Sequence, residues 1–405
     1  MSDPARIRTI RGGLHASIND FSADASTIKF IDIEDGSAPN ARYNMLDVNV
    51  NRGDGLHEKS IRGTKEGDIK FSCALEGLDN GGAGDGDVVA SATELNIVNE
   101  LIESMWGTTG TDGTGDTSAA GSSGATLEMG ASTPFAAEQA ILFADDVTGH
   151  LEARFITGKS GDTLTLNAAP LDADFNAVDP ADSSVCYAAA TYACKPANAH
   201  NTHMYFDAEG SNWRRKFSGV MGNAQLDLSS GQYVKLAYEG SATDWTDSPQ
   251  ADPTFSAPNT GAKIVNADAS LVIGGAGYFA HGFSFDFGVQ MQPRPSDSGP
   301  NNKQGSVVVD VVPSLEFAVQ FSSASLTGSA TNTILDVWQS NAAQDLLLQV
   351  GRSAGSAMAI WMPAADFKID EFPTVINGLE YIKVRATPSR SSDADVNYEC
   401  YAAIF

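Results

Sequence analysis

Apolar and polar residues alternate over short stretches along most of the chain. The segment 45–50, MLDVNV, is representative, because Asp47 falls on one face of an extended strand and its neighbour Leu46 on the other. This period of two predicts half-buried β-strands joined by turns, and hence a mainly β protein. Comparable runs lie at 28–33, 69–75, 140–146, 151–158, 162–169, 202–208, 213–220, 224–229, 233–240, 282–288, 306–312, 346–350, 358–364, 367–370, 379–389 and 397–405.

Helical periodicity is strongest after the glycine-rich stretch 77–87. Ser91 and Glu94 have the spacing of a capping box, and Gly107 is the residue type that ends a helix. The apolar stripe between them is expected to pack against a sheet. It consists of Leu95, Val98, Leu101 or Ile102, and Met105. A second helix is predicted over 333–340, with Ile334, Val337 and Trp338 on one side.

Low-complexity stretches divide the chain into parts. Residues 107–125 are rich in Gly, Ser and Thr and predict a flexible linker. The strands between 140 and 169 predict a small β-domain inserted into the main fold. A Pro-, Asp- and Ser-rich stretch at 247–262 predicts another linker. The predicted parts are a first domain from 1–106 and 191–250, the linker and insert at 107–190, a linker at 251–262, and a second domain at 263–405.

The second half of the chain repeats the order of the first. A long polar loop follows a strand at 51–68 and again at 290–305, and each leads into an apolar strand. The segments 224–241 and 365–389 also share a pattern, because each is an alternating strand, a turn and a strand with Tyr and Lys near its centre. We therefore predict two tandem β-sandwich or barrel domains, each with a flanking helix.

The formal net charge is −26, from 51 acidic and 25 basic residues. This charge argues against a protein that grips nucleic acid, because phosphate binding requires a basic face. There is no run of about 18 apolar residues, so no membrane-spanning segment is expected. The basic segment 1–13 lacks the apolar stretch of a secretory signal.

The motifs give no reason to expect catalysis, a cofactor or a metal ion. The chain has no GxSxG and no phosphate-binding P-loop. His200 and His203 enter a predicted strand, and we expect their imidazoles to point to opposite faces. The segment 81–89 matches a calcium-binding repeat only in part, and Arg52-Gly53-Asp54 matches an adhesion tripeptide by chance.

The four cysteines fit neither a zinc motif nor a dense disulfide framework. Cys73 and Cys400 lie in apolar strand patterns and are expected in the core. Cys186 and Cys194 flank a short predicted strand, and the two thiols could approach each other. No disulfide is expected.

The order of these segments resembles the major tail-tube proteins of long-tailed bacteriophages. In that family a β-sandwich carries a helix on its flank and a long hairpin loop that reaches the neighbouring ring. The insert at 107–190 departs from the minimal pattern of the family. The segments that carry the resemblance are 99–107, 204–247 with its Gly-Val-Met-Gly-Asn turn (219–223) and Tyr-Glu-Gly (238–240), and 282–295 with Phe-Asp-Phe-Gly (285–288).

The resemblance implies a structural virion protein rather than an enzyme. It implies stacked rings that form a hollow tail tube, assembled in the cytoplasm of the host bacterium, through which the genome passes without specific binding. Six tube domains per ring require three chains if each chain supplies two, with a ring of six chains as the alternative. Tape-measure and tail-tip or terminator proteins are the implied partners, and no cofactor or membrane is implied.

In this setting the two long loops would connect one ring to the next. Ordering about 18 residues costs on the order of 20–30 kcal/mol, and burial of about 1,000 Å² of apolar surface offsets that cost. The resemblance therefore predicts a soluble monomer that polymerises on a template. The candidate contact residues are Arg52, Asp54, His57, Lys59, Arg62, Lys65, Arg294, Asp297, Asn302 and Lys303.

An acidic lumen would let DNA slide, since carboxylates facing phosphates remove attractive ion pairs. The mid-strand residues Asp47, Asp227 and Asp286 are the candidates for facing it. The insert is expected to point outward, because a bulky domain inside the tube would block the DNA.

Three other kinds of protein share this β-rich composition. A secreted or surface adhesin would need a signal peptide, disulfides or repeated calcium motifs, none of which the sequence shows. A glycan-acting enzyme would need two opposed carboxylates in a cleft. A capsid decoration or baseplate protein would not need a duplicated domain with paired long loops.

Overall fold

The computed structural model shows a chain built mainly of β-strands, with two helices among the described residues, and this confirms the predicted mainly-β fold class. The predicted domain limits remain predictions. The described residues are 9–15, 29–31, 33–34, 39–46, 61–78, 97–111, 116–130, 135–172, 176–194, 203–209, 213–248, 262–297, 302–320, 334–376, 379–389 and 398–405. In chain order the elements are β1 (Thr9–His15), β2 (Lys29–Ile31), β3 (Asn40–Leu46), β4 (Ile61–Ala74), α1 (Ile97–Met105), β5 (Thr108–Thr111), β6 (Asp116–Thr117), β7 (Thr126–Glu128), β8 (Ala140–Ala144), β9 (Leu151–Ser160), β10 (Thr163–Leu166), β11 (Val185–Ala188), β12 (Ala190–Ala193), β13 (His203–Glu209), β14 (Arg214–Leu228), β15 (Lys235–Ala242), β16 (Asp244–Ser248), β17 (Ser270–Ile273), β18 (Ala276–Tyr278), β19 (Ala280–Asp286), β20 (Val289–Pro295), β21 (Lys303–Val311), β22 (Ser314–Gln320), α2 (Ile334–Ser340), β23 (Gln344–Val350), β24 (Met358–Ile376), β25 (Leu379–Pro388) and β26 (Tyr401–Ile404).

One pairing scheme is built twice, and we call the two copies the first and second repeat. In the first repeat β1 pairs with β2 and β13, β13 with β14, β14 with β15 and β16, β15 with β4, and β4 with β3. In the second repeat β17 pairs with β18 and β23, β23 with β24, β24 with β25 and β26, and β25 with β22. All of these pairs are antiparallel. A helix precedes β13 in the first repeat and β23 in the second.

A long strand organises each repeat. The first half of β14 lies between β13 and β16, and its second half pairs with β15. In the same way, the first half of β24 lies between β23 and β26, and its second half pairs with β25. Because one strand serves two sets of neighbours, each repeat folds around a single long bent strand.

Helix α1 closes the core of the first repeat. Val98, Leu101, Ile102 and Met105 are all buried, as the predicted stripe requires. Gly107 has a φ of 93°, which favours glycine, and its N–H donates to the Glu103 carbonyl at 2.8 Å. The predicted end of this helix is therefore confirmed. The predicted cap at Ser91 and Glu94 and the apolar residue Leu95 lie outside the described residues.

Trp106, directly after α1, joins the cores of the two repeats. Its side chain is fully buried, and its Nε1 donates to the Phe287 carbonyl at 3.1 Å. Its ring lies edge-on to Phe285 at 5.7 Å and to Phe287 at 4.9 Å between ring centroids. Such aromatic contacts add to the energy of burial. One tryptophan of the first repeat is thus packed against β19 and the residue after it, and β19 pairs with β22 of the second repeat.

Helix α2 is as short as predicted, but its faces differ from the prediction. Ile334 is buried and Val337 packs partly against the core. Trp338 is 44% exposed, so its placement on the apolar side was wrong. The buried side of this seven-residue helix is narrow, and a large aromatic residue next to it remains at the surface.

The insert is a separate six-stranded sheet in the order β6-β11-β8-β9-β10-β7. Ser118 bridges Met129, and the Gly130 N–H donates to the Thr117 carbonyl, so the two edge strands meet and the sheet curls around its own core. The predicted strands at 140–146, 151–158 and 162–169 correspond to β8, β9 and β10. The core residues are Leu127, Met129, Phe135, Ile141, Phe143, Ile156, Leu164, Leu166, Cys186 and Ala188.

The prediction of a flexible linker over 107–125 was wrong for two strands. β5 pairs with β12, and β6 pairs with β11. The threonines of these strands favour extended backbone once partner strands are present. The local composition gave no sign of these partners, which lie about 80 residues further along the chain for β5 and about 70 for β6.

The insert is packed against the second repeat. Phe155 of β9 stacks on Trp361 of β24 at 5.1 Å, and Trp361 stacks on Tyr401 of β26 at 5.1 Å. Gln349 is fully buried between them, where its Nε2 donates to the Leu151 and Gly351 carbonyls. The contact is therefore both apolar and specifically hydrogen-bonded.

The four cysteines are all buried, and the backbones of Cys194 and Cys400 are hydrogen-bonded to each other. The Cys194 N–H donates to the Cys400 carbonyl at 2.9 Å, next to the β12–β26 pairing. Cys186 lies in the insert core instead. The interpretation that Cys186 and Cys194 approach each other was wrong, since the strand between them continues from the insert into the main sheet.

Asp345 predicts a pH dependence of stability. It accepts a hydrogen bond from Trp361 Nε1, and burial raises its pKa from 3.8 to about 6. Because the folded pKa lies above the unfolded one, its stabilising contribution is present below about pH 4 and is lost as the pH rises to about 6. Two pKa units correspond to about 3 kcal/mol. The difference in unfolding free energy between Asp345→Asn and the wild-type protein should therefore rise by up to about 3 kcal/mol between pH 4 and pH 7.

Urea unfolding at several pH values measures this difference. The exposed Asp366 on β24 provides the control, because Asp366→Asn should change stability by less than about 0.5 kcal/mol at either pH. A constant difference between Asp345→Asn and wild type across this pH range would contradict the prediction.

Candidate assembly surfaces

One antiparallel sheet runs through both repeats in the order β3-β4-β15-β14-β19-β22-β25-β24. The repeats meet where β14 pairs with β19, and we call this pairing the internal seam. In its register, Gln225 lies opposite Asp286 and Leu226 lies opposite Phe285. Alternation along the strands then gives the sheet one apolar face, which packs in the core, and one polar face.

Carboxylates outnumber basic groups on the polar face. They belong to Glu34, Glu66, Asp68, Asp227, Glu239, Asp286, Glu316, Asp366, Asp370 and Glu371. The basic residues there are Arg42, Lys70, Lys235, Lys368, Lys383 and Arg385. Each of these six basic side chains forms an ion pair with a carboxylate on the same face.

These ion pairs set the electrostatic character of the face. Arg42 lies 2.8 Å from Glu66, Lys383 lies 2.7 Å from Glu371, and Lys235 lies 3.0 Å from Glu34. The side-chain hydrogen bonds of Tyr233 and Lys235 hold the pKa of Glu34 below its usual value. Cations that are already paired attract a phosphate weakly, and the remaining carboxylates repel it.

Two of the three predicted lumen residues lie on this face. Asp227 is exposed, and it accepts hydrogen bonds from the N–H and hydroxyl of Ser229. Asp286 is half-buried at the internal seam, where it accepts from Asn223 at 2.7 Å and from Gln225 at 3.0 Å. Asp286 therefore binds the two repeats together. Asp47 lies outside the described side chains.

The first predicted ring-to-ring loop is shorter than expected. β4 begins at Ile61, so the loop prediction over 61–68 was wrong. Pairing with β3 and β15 extends a segment whose own sequence is too polar and Gly-rich to predict a strand. Arg62 is exposed with its guanidinium 5.1 Å from the centre of the Tyr43 ring. Lys65 forms an ion pair with Asp244, with 3.0 Å between Nζ and Oδ1. Four further candidates lie outside the described residues: Arg52, Asp54, His57 and Lys59.

The second predicted loop is mostly a two-stranded ribbon. β20 and β21 pair with each other from Val289 opposite Val311 to Pro295 opposite Lys303, so the loop prediction was wrong for these strands. Arg294, Asp297 and Asn302 are exposed at the far end of the ribbon. The ribbon also carries the exposed apolar side chain of Val309. Polar loops in sequence are hard to separate from polar hairpins, since neither buries a full apolar face.

The described residues were searched for groups of metal-ligating side chains and for long apolar helices. No group of three or more His, Cys, Asp or Glu side chains within them is arranged to hold a metal. No helix in the part of the chain that the structure describes is long and apolar enough to cross a membrane. His203 lies in β13, while His200, the segment 81–89 and Arg52-Gly53-Asp54 lie outside the described residues.

The sequence matches no model of a protein family, and no curated protein matches it. The function is therefore inferred from the surfaces described above.

Sequence reasoning missed most of the acidic face. Lys70, Glu239 and Arg385 all occupy polar positions in strands that the pattern predicted, whereas Glu316 lies in β22, which the pattern did not predict. Alternation shows that such residues share a side of their own strand. It does not show which strands are neighbours, and the face exists only because β14 and β19 join.

Proposed function

We propose that this protein is the major tail-tube protein of a long-tailed bacteriophage, a structural virion component that polymerises as stacked rings. The observation that supports this best is the internal seam, where two repeats of one pairing scheme join edge to edge into a single sheet. Head-to-tail joining of like units closes into a ring when the rotation per unit divides a full turn. The chain thus contains one joint of such a ring.

The charges support a conduit for DNA. The paired basic groups and excess carboxylates of the polar face form a surface along which a phosphate backbone slides without strong attachment. The net charge of −26 acts in the same direction. Under this proposal the polar face lines the lumen and the insert points outward.

The ring would contain three chains, because each supplies two repeats, and six chains is the alternative. Tape-measure and tail-tip or terminator proteins would cap and template the tube. Assembly would take place in the bacterial cytoplasm, and the product would be the tail of the virion.

Negative-stain electron microscopy and mass photometry of the concentrated protein test this proposal. We expect hollow tubes or rings, with a ring mass three times the 42.4 kDa of one chain. We also expect no binding to duplex DNA at about 150 mM salt. A protein that forms neither rings nor tubes at any concentration, also when tape-measure and tail-tip proteins are supplied as the template, would contradict the proposal, as would tight DNA binding.

Shortening the β20–β21 ribbon should separate stacking from ring formation. Gln292 lies directly opposite Val307, so a two-residue Asn-Gly turn can replace residues 293–306. We expect this variant to form rings of normal mass that do not stack into tubes. The control is the double variant Gly161→Asn with Asp162→Gly, which introduces the same Asn-Gly turn between β9 and β10. Rings of this control variant should stack into tubes as the wild-type rings do. Tubes of normal length from the shortened ribbon would show that it makes no contact between rings.

A further inference from the structure

The internal seam shows how one edge of a long strand is covered. The Phe287 N–H donates to the Ala224 carbonyl at 3.1 Å, so the backbone groups of Ala224 and Leu226 point towards β19. Leu226 is 1% exposed and Leu228 is fully buried. The second half of β14 is therefore an interior strand with β15 on one side and β19 on the other.

The equivalent edge of β24 has no such cover among the described residues. Leu226 lies opposite Leu236 of β15, and Ile369 lies opposite Val384 of β25, so Ile369 is the counterpart of Leu226. The Ser389 N–H donates to the Ala364 carbonyl, so the backbone groups of Ala364 point towards β25. Because this direction alternates along a strand, the backbone N–H and C=O groups of Phe367 and Ile369 point away from β25. No described strand pairs with that edge after Ala365.

Burial agrees with this difference between the two edges. Phe367 and Ile369 are only partly buried, whereas their counterparts Ala224 and Leu226 are buried. An unpaired strand edge with apolar side chains is a surface that natural proteins either cover or block. Within the part of the chain that the structure describes, the edge of β24 is neither covered nor blocked, and we call it the open edge.

The counterpart of β19 lies in the first repeat. β19 continues from the β17–β18 hairpin and pairs with β22, and Ile33 follows the β1–β2 hairpin and bridges Cys73 of β4. The Glu34 N–H donates to the Ser72 carbonyl at 2.8 Å, which fixes the backbone of this segment against β4. On the side of Ile33 that faces away from β4, no strand pairs among the described residues.

We propose that the open edge of β24 pairs antiparallel with the segment at Ile33 of a second copy of this chain. The joint reproduces the internal seam, because both of its edges are counterparts of the β14 and β19 edges that already pair within one chain. Repetition of this joint gives a closed ring in which intramolecular and intermolecular seams alternate. The inference rests on the proposed function for the ring itself, and it adds which surfaces join one chain to the next.

A proline at Ile369 tests the joint. In the wild-type chain the N–H of Ile369 points to the open edge and away from β25. Ile369→Pro therefore removes a hydrogen-bond donor for the second copy without breaking the β24–β25 hydrogen bonds. Ile369→Ala also shortens the side chain but keeps the N–H. We expect Ile369→Pro to weaken ring formation at least about tenfold relative to Ile369→Ala, by mass photometry over a concentration series. Circular dichroism verifies that both variants fold.

Hydrogen exchange of the wild-type protein tests the same joint without a substitution. We expect the amides of Phe367 and Ile369 to exchange at least about tenfold more slowly in rings than in monomers. The amide of Leu226, in the internal seam, should be protected in both states. Rings that form with unchanged exchange at Ile369, or that form equally well from Ile369→Pro, would overturn the inference and leave the proposed function standing. A wild-type chain that forms no rings even when the template proteins are supplied would instead overturn the proposed function.

Discussion

Replacing Trp106 with alanine should destabilise the protein by about 3–5 kcal/mol and uncouple the two repeats. The indole is fully buried, it contacts Phe285 and Phe287, and its Nε1 donates to the Phe287 carbonyl. Truncation leaves a large cavity and an unpaired carbonyl between the repeats. Because this cavity lies at the junction, we expect the wild-type protein to unfold in one thermal transition and the variant in two.

Differential scanning calorimetry and urea unfolding measure both effects. Trp338→Ala is the matched control, because this tryptophan is 44% exposed on α2 and its loss should change stability by no more than about 0.5 kcal/mol. Equal losses for the two variants would show that Trp106 does not join the repeats.

The fold could be predicted from the sequence as far as local pattern determines it. Alternation placed β8, β9 and β10 of the insert, and the stripe of α1 from Val98 to Met105 was correct. These elements have their apolar side chains at spacings that a single strand or helix requires. Pairings between distant segments could not be predicted in this way.

Two errors have the same physical origin. The segment 61–68 was predicted as loop, and 108–111 was predicted as flexible linker, yet both are strands. The segment 108–111 extends along β12, which lies about 80 residues further along the chain, whereas 61–66 extends along β3, the strand that precedes the loop. In both cases the hydrogen bonds of the partner strand outweigh weak local propensity. Single-sequence patterns contain no information about such partners.

The assembly surfaces were predictable only in part. Asp227 and Asp286 were selected because they lie mid-strand, and both are on the polar face. The open edge of β24 could not be predicted, because an edge is defined by which neighbour is missing. The comparison of β24 with β14 identifies it, and that comparison requires the register of both strands.

Replacing Glu152 with glutamine should destabilise the docking of the insert by about 3–5 kcal/mol. Glu152 is buried between two arginines, at 3.1 Å from Arg154 and 2.7 Å from Arg352. Arg154 is completely buried, and burial lowers its pKa. Removal of the carboxylate leaves that buried guanidinium charge without its ion-pair partner, which costs far more than the pair itself contributes.

A surface pair supplies the comparison for this substitution. Glu239 pairs with Lys70 on the polar face, where both side chains are more than half exposed, so Glu239→Gln should cost no more than about 1 kcal/mol. Urea unfolding measures the loss of unfolding free energy in each variant. Limited proteolysis shows which part of the Glu152→Gln variant unfolds first. We expect cleavage within the insert at 116–188, since Arg352 of the second repeat keeps access to water while Arg154 does not. Similar losses for Glu152→Gln and Glu239→Gln would show that the buried charges do not hold the insert in place.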